Sequence, residues 1–450
     1  MTETMTTGNP LKLILRFSLP LLLGNLLQQT YNMVDAAIVG RYLGTDQLAA
    51  VGASSSVQFL VMGFCIGICV GFAIPVAQRY GAEDHKSMRA FIFQGAVLAA
   101  IAAILVTTLC AILCPAILRL LSTPSAIYQD AYDYLFVIFL GIPFSILYNY
   151  QASILRAVGD SKTPFFFLAF STVLNIALDL LCIVVFQLGC GGAAIATITA
   201  QAISGVCCFF YIIIRYQMLH PQKEDRYMDR QKVQILLTMG LPMGLQFSIT
   251  AIGSMVMQSA NNSLGATYVS GFTAGARIKQ FAMSPFDAIA TAVSTFCSQN
   301  LGAKKIDRIK QGIRKGTVLG VGYGALIGLV LIFFGRTLSL LFVSSTQTAV
   351  LDASANYLRC MGYFFWSLGI LNVFRMTTQG LGYSGLAVYG GILEMIARIV
   401  VSLVFVPRYG YQAICYADQC AWLSACIYIV PTCLLCLKKC MRLVSDDRAA

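Results

Sequence analysis

Four oxygen-bearing side chains in the first half of this chain could do chemistry together. They are Asp35, in the stretch NMVDAAIVG, and Asn175, Asp179 and Thr197, each set in a run that is otherwise apolar. Asn175 and Asp179 are four residues apart, about 40° around a helix, so one helix face carries both. Two carboxylates, an amide oxygen and a hydroxyl are hard ligands, suited to Na⁺ or to a shared proton. No Lys or Arg stands at comparable depth in this half to neutralise them. Two carboxylates brought close without a cation raise each other's pKa, so the set is expected to take up a proton or a metal ion, with Asp35 and Asp179 as the metal-ligating pair for Na⁺. The bland reading of Asp35 is a carboxylate that snorkels to the outer interface.

The elements that must hold these residues follow from composition. The 450 residues are 58% hydrophobic and 11% charged, with mean hydropathy +0.75. Soluble domains carry roughly 25% charged residues, so this chain lacks the charge to cover a wet surface. Its apolar blocks run to ~20 residues or more, the length of a bilayer-spanning helix. Twelve spans are predicted, near 15–40, 48–78, 90–115, 130–155, 163–187, 192–215, 233–262, 268–300, 313–335, 352–380, 386–406 and 411–437. The fold class is therefore an all-α polytopic membrane protein, with the lipid bilayer as its surroundings. Unbroken apolar runs exclude a β-barrel, whose strands alternate. No cleavable leader is expected, because the short polar start runs straight into the first span.

The net charge of +12 is a matter of topology. With both termini cytoplasmic, 22 of the 31 Lys and Arg fall on the cytoplasmic side, and only Arg41, Arg119, Arg336 and Arg408 fall outside. That bias follows the positive-inside rule and is not a nucleic-acid footprint. The sixteen Cys lie mostly within apolar spans, where Cys packs as a small hydrophobe, and Cys433 and Cys436 have no second pair or nearby His to complete a metal site.

The chain also repeats itself. Leu43-Gly44 recurs as Leu264-Gly265, Gln78 as Gln299, Gly95 as Gly316, Gly159 as Gly382 and Gly191 as Gly410, at offsets of 219 to 223 residues. Two six-helix lobes are expected, 1–220 and 221–450, joined by the charged cytoplasmic segment 217–232 and enclosing a central cavity. Gly63, Gly67 and Gly71 form a face that admits another backbone, and Pro20 is expected to bend the first span. The second lobe does not repeat the polar set. Val256 or Met257 aligns with Asp35, Arg398 with Asn175 and Ser402 with Asp179. It carries instead Arg277, Lys279, Asp287, Arg359, Arg375, Glu394, Arg398 and Asp418. Arg277, Glu394 and Arg398 are a candidate second polar site. Glu394 and Arg398 are read as a structural i, i+4 pair, while Arg277 and Asp287 stand ten residues apart and Asp418 has no partner by spacing.

The stretches LPLLLGNLLQQTYNMVDAAIVG, LGTDQLAAVG, PVAQRYGAED, CSQNLGAKK and LNIALD give the chain a resemblance to multidrug and toxic compound extrusion (MATE) transporters over essentially its whole length. The resemblance implies twelve helices in two lobes and export of organic, often cationic, compounds in exchange for H⁺ or Na⁺. It implies a first-lobe cation site at Asp35, Asn175, Asp179 and Thr197, adds Asn149 as a further polar position, and matches Pro20 to a proline at which the first helix bends.

A secondary multidrug antiporter at the plasma membrane, monomeric, without a cofactor beyond its coupling ion and acting on small organic substrates, is the leading expectation. The alternative is a lipid-linked saccharide flippase of similar architecture, which would need free positive charge for a diphosphate. An enzyme is not expected, because no His lies in any span and no nucleophile–base set is visible; a channel would show charged rings or a filter.

Overall fold

The computed structural model describes residues 4–121 and 123–449, with Thr45 and 446–449 described by their backbone alone. Fourteen α-helices follow one another, with no strand among the described residues. The first half holds α1 (Pro10–Tyr42), α2 (Thr45–Gly81), α3 (His85–Leu120), α4 (Tyr128–Leu140), α5 (Ile142–Ala157), α6 (Lys162–Leu180) and α7 (Gly189–Arg215). The second holds α8 (Arg230–Asn262), α9 (Ala266–Gly302), α10 (Ile306–Ser339), α11 (Thr348–Gly380), α12 (Ser384–Val400), α13 (Val406–Tyr409) and α14 (Tyr411–Ala449).

All twelve predicted spans fall on these helices. Among the described residues nine helices are long and apolar enough to cross a bilayer, ten when α4 and α5 count as one span bent by 46°. Gly141 sits at that bend and Pro143 follows within the first turn of α5, where its missing N–H costs nothing. The long helices α9 and α11 carry Arg277, Lys279, Asp287, Arg359 and Arg375, which lowers their hydropathy below that of the others. Pro20, Pro75, Pro285 and Pro431 lie inside continuous helices rather than at breaks.

The repeat is visible in the backbone. Eight of the ten positive-φ residues among those described pair across the repeat, Gly44 with Gly265, Glu83 with Lys304, Gly159 with Gly382, and Gly189 with Gly410. Gly44 and Gly265 head α2 and α9 at φ 96° and 103°, a turn that any Cβ would strain. Single π-helical turns also recur, Leu181–Val185 after α6 and Val401–Phe405 after α12.

By compactness the chain forms two units, one of Leu23–Gly244 and one of Met5–Leu22 with Leu245 onward. The divisions fall inside α1 and α8, not at the 217–232 segment. Each lies just past a proline, Pro20 in one helix and Pro242 in the other.

Within the first unit, the expected glycine face meets a matching one. A Cβ on Gly71 would stand 2.5 Å from the Gly240 Cα, and one on Gly67 would stand 2.6 Å from the Met243 carbonyl oxygen, so the backbones of α2 and α8 touch. The second unit uses the same device between α10 and α11, where Gly320, Gly324 and Gly328 lie against Gly369, Trp366 and Gly362.

The loop after α7 is clamped to α3. Arg89 Nε donates to Asp225 Oδ2 at 2.7 Å, the Gln222 N–H donates to the same oxygen at 3.0 Å, and Gln94 Nε2 donates to the Tyr227 carbonyl at 3.0 Å. Burial alone would raise the Asp225 pKa, but the Arg89 hydrogen bond and charge outweigh it and hold the carboxyl below its ordinary value. A carboxyl depressed in the folded state contributes stability above its unfolded pKa of about 3.9, and loses it as pH falls through the folded value. The 217–232 segment is therefore expected to resist proteolysis at neutral pH and to become cleavable only on strong acidification. Arg89→Gln should make it cleavable at pH 7; a variant as resistant as wild type would show that the clamp does not hold the loop.

Candidate functional site

Three helices bring the first-lobe set together. Asp35 lies on the C-terminal half of α1, Asn175 and Asp179 on one face of α6, and Thr197 on α7. Asp179, Asn175 and Thr197 are buried, at 0%, 2% and 7% exposure, while Asp35 is partly exposed. The carboxyls of Asp35 and Asp179 lie within hydrogen-bonding reach of each other. Two carboxylates tolerate that approach only with a proton or a cation between them. With its amide oriented to satisfy both ends, Asn175 donates to Asp179 Oδ2 at 2.9 Å and accepts from the Thr197 hydroxyl at 3.3 Å. One oxygen of each carboxylate makes no hydrogen bond to a protein group.

Two tyrosines belong to this site that spacing did not single out. The Tyr31 hydroxyl stands 3.3 Å from Thr197 Oγ1, one helical turn before Asp35 on α1. Tyr134 of α4 is buried close to Asp35 and Tyr31. The i, i+4 relation of Tyr31 to Asp35 was the available signal. Ile38 and Val39 of α1, Tyr134 and Ile138 of α4, Ile183 of the turn after α6, and Ala193 and Ala194 of α7 form one buried apolar cluster on the elements that carry the set. Asn149 is not in the cluster. Its amide donates to the Ser145 carbonyl of its own helix at 2.8 Å. Pro20 is buried in α1, fifteen residues before Asp35.

The second lobe departs from the expectation of an isolated pair. Glu394 receives Arg375 Nη1 at 2.6 Å and lies 3.5 Å from Arg398 Nη1. Arg398 Nε in turn donates to Asp418 Oδ1 at 3.0 Å. Asp418, which spacing left without a partner, also receives Lys279 Nζ at 2.8 Å and the Tyr357 hydroxyl at 3.0 Å. Asn372 extends the chain, accepting from Arg375 Nη2 and donating to Asp287 Oδ1 at 3.2 Å. Helices α9, α11, α12 and α14 are thus tied by one run of alternating charge. Arg277 is outside it and does not pair with Asp287. It lies two residues from Lys279, about 160° around α9, so the two point to opposite faces. It is exposed and lines a cavity of about 450 Å³ with Ser270, Thr273, Phe342, Gln347 and Val350.

The sequence model of the MatE family matches residues 20–181 and again residues 242–404. The chain belongs to the MatE family. As a MatE protein it is a multi-pass membrane transporter and not an enzyme. Both matches begin at the prolines beside which the compact units divide, so the family's repeating unit and the backbone repeat coincide. The chain is 32% identical over 409 residues to "Probable multidrug resistance protein YpnP" of Bacillus subtilis, which covers 91% of this chain and 89% of that one. It is 24% identical to the "FAD transporter" of Shewanella oneidensis, over 81% of this chain and 80% of that one. In fold it is similar to a crystallised MATE in complex with MaL6, at TM-score 0.91 and 20% identity, covering 98% and 99% of the two chains. A MATE transporter solved in the outward-facing conformation matches at TM-score 0.91 and 20% identity, over 97% and 98%.

Proposed function

We propose that this MatE protein is a multidrug efflux antiporter of the plasma membrane. It exports small organic, often cationic, compounds while H⁺ or Na⁺ enters through Asp35, Asp179, Asn175 and Thr197. The observation that carries the reading is the Asp35–Asp179 pair, two carboxyls in hydrogen-bonding reach with no basic residue of their own lobe beside them. Such a pair binds a cation when both groups are ionised and sheds charge when one is protonated. The two six-helix lobes then alternate access, and the ion drives the cycle because it favours one arrangement over the other. Asn149 and Pro20 stand in this proposal as supporting positions, the first polar and the second a point of helix flexure. The charge bias of the loops supports cytoplasmic termini.

The names of relatives support multidrug export as the cargo class. The flippase alternative is weakened by one observation. Lys279, Arg375 and Arg398 are each paired with a carboxylate, so the second lobe offers a diphosphate much less free positive charge than its composition suggests. Proteoliposomes carrying the purified protein, with a pH gradient and a Na⁺ gradient imposed separately, test the reading. Substrate counterflow is expected with at least one of the two gradients and not when both are absent. Equal flux with no gradient would reduce the protein to a passive facilitator.

A further inference from the structure

In the second unit, exposed surface comes in two kinds. Between Val318 and Phe334 of α10 the exposed large side chains are all apolar, Val318, Leu326, Leu329, Phe333 and Phe334, as a lipid face requires. The exposed side of α9 is different. Ser270, Thr273, Arg277, Gln280, Ser284, Asp287 and Thr291 follow one another at spacings of three and four, which places them along one stripe of the helix. Ser270, Thr273, Arg277, Gln280 and Asp287 are exposed, Ser284 is buried and Thr291 partly so. From Ser270 to Asp287 the stripe rises about 25 Å, most of the thickness of a bilayer core. A charged side chain facing hydrocarbon at mid-span costs roughly 2.5–3.5 kcal/mol, and this stripe carries two. Such a stripe suits a water-lined face rather than hydrocarbon. Below Asp287 the helix is almost wholly buried, from Ala288 to Asn300, so Asp287 is the last exposed residue on the water-lined face.

Asp287 is also held without being neutralised. Its one hydrogen bond among the described residues comes from the neutral amide of Asn372, at 3.2 Å. The nearest cation along the network, Arg375, is committed to Glu394 at 2.6 Å. An oriented carboxylate with no counter-charge of its own, exposed to water deep in the membrane, is a recognition point for a positive charge.

We infer that the polar face of α9 is a wall of the substrate path and that Asp287, oriented by Asn372, binds the positively charged group of an organic cation. The inference rests on the export reading above and deepens it. Cargo is read by a carboxylate of the second lobe, while the coupling ion is held by the carboxylates of the first, so the two occupy separate sites.

The test is equilibrium binding of tetraphenylphosphonium to the purified full-length protein, with membrane reconstitution for the second arm. Asp287→Asn should weaken binding at least tenfold, Asp287→Glu should retain most of it, and Asp352→Asn, which breaks only the exposed pair with Arg336, should stay within about twofold of wild type. Undiminished binding by Asp287→Asn, an equal loss in Asp352→Asn, or no binding by wild type would each overturn the inference. In the second arm, Thr273→Cys and Gln280→Cys, on a background with Cys207 and Cys420 replaced by Ser, should react with an impermeant charged thiol reagent, and Phe333→Cys should not. Unreactive stripe positions would return α9 to a lipid face. Neither arm needs a gradient. A wild-type protein that no gradient drives would defeat the antiport reading and leave the α9 measurements to be judged by themselves.

Discussion

Asp35→Asn, inserted in the membrane in wild-type amount, is expected to leave ethidium efflux at the rate of empty vesicles under an imposed H⁺ or Na⁺ gradient. The substitution keeps the size of the side chain and removes its charge. Asp179 then faces an amide, and the site can no longer change its charge by taking up and releasing an ion. Asp179→Asn should fall nearly as far, since each carboxyl is the other's partner. Both proteins should fold, because the pair is a like-charge contact whose loss relieves repulsion. Glu394→Gln should behave otherwise, lowering yield without uncoupling whatever protein survives. Wild-type efflux by a well-inserted Asp35→Asn protein would make this residue an interfacial carboxylate without a role in coupling.

The largest effect on stability is expected at Asp418. Its carboxylate is 2% exposed and receives Lys279, Arg398 and Tyr357. Asp418→Leu leaves an ammonium and a guanidinium facing an apolar side chain in a low-dielectric interior. Removing one partner from a buried ion pair costs about 3–5 kcal/mol, a large share of the stability of most proteins. A loss of most membrane expression, or a fall of many degrees in the unfolding temperature in detergent, is the expected result. Asp418→Glu should recover part of it. Arg398→Asn is expected to cost less, because Glu394 keeps Arg375 and Asp418 keeps Lys279. If Asp418→Leu folds normally yet exports nothing, the network serves transport rather than architecture.

Most of the helical plan is legible in the sequence, since a bilayer rewards long apolar runs so strongly that they need no other signal. The first-lobe set is legible for a related reason, a carboxylate inside such a run being too costly to be casual. Tyr31 escaped because a tyrosine near a membrane interface needs no explanation. The Arg375–Glu394 and Lys279–Asp418 contacts escaped because they join residues on different helices, and spacing along one helix reports only neighbours on that helix. Glu394 and Arg398 satisfied the local rule, which hid that each has a closer partner elsewhere. Compact packing that divides α1 and α8 within themselves is invisible for the same reason: a continuous apolar run does not say which neighbours cover its two ends.

The charge run of the second lobe has an electrical consequence. Lys279, Arg375 and Arg398 equal Asp287, Glu394 and Asp418 in number, so the run itself sums to zero charge when all six are ionised. Under the coupling proposed above, the charge that crosses the membrane in each cycle is then set by the cargo and by the ions taken up at Asp35 and Asp179. One monovalent ion inward for one monocation outward is silent to the membrane voltage. Two inward for one outward moves a net positive charge into the cell, and each 100 mV of potential then contributes about 2.3 kcal/mol to export. The voltage dependence of transport thus reports how many charges the first-lobe carboxylates accept per turnover.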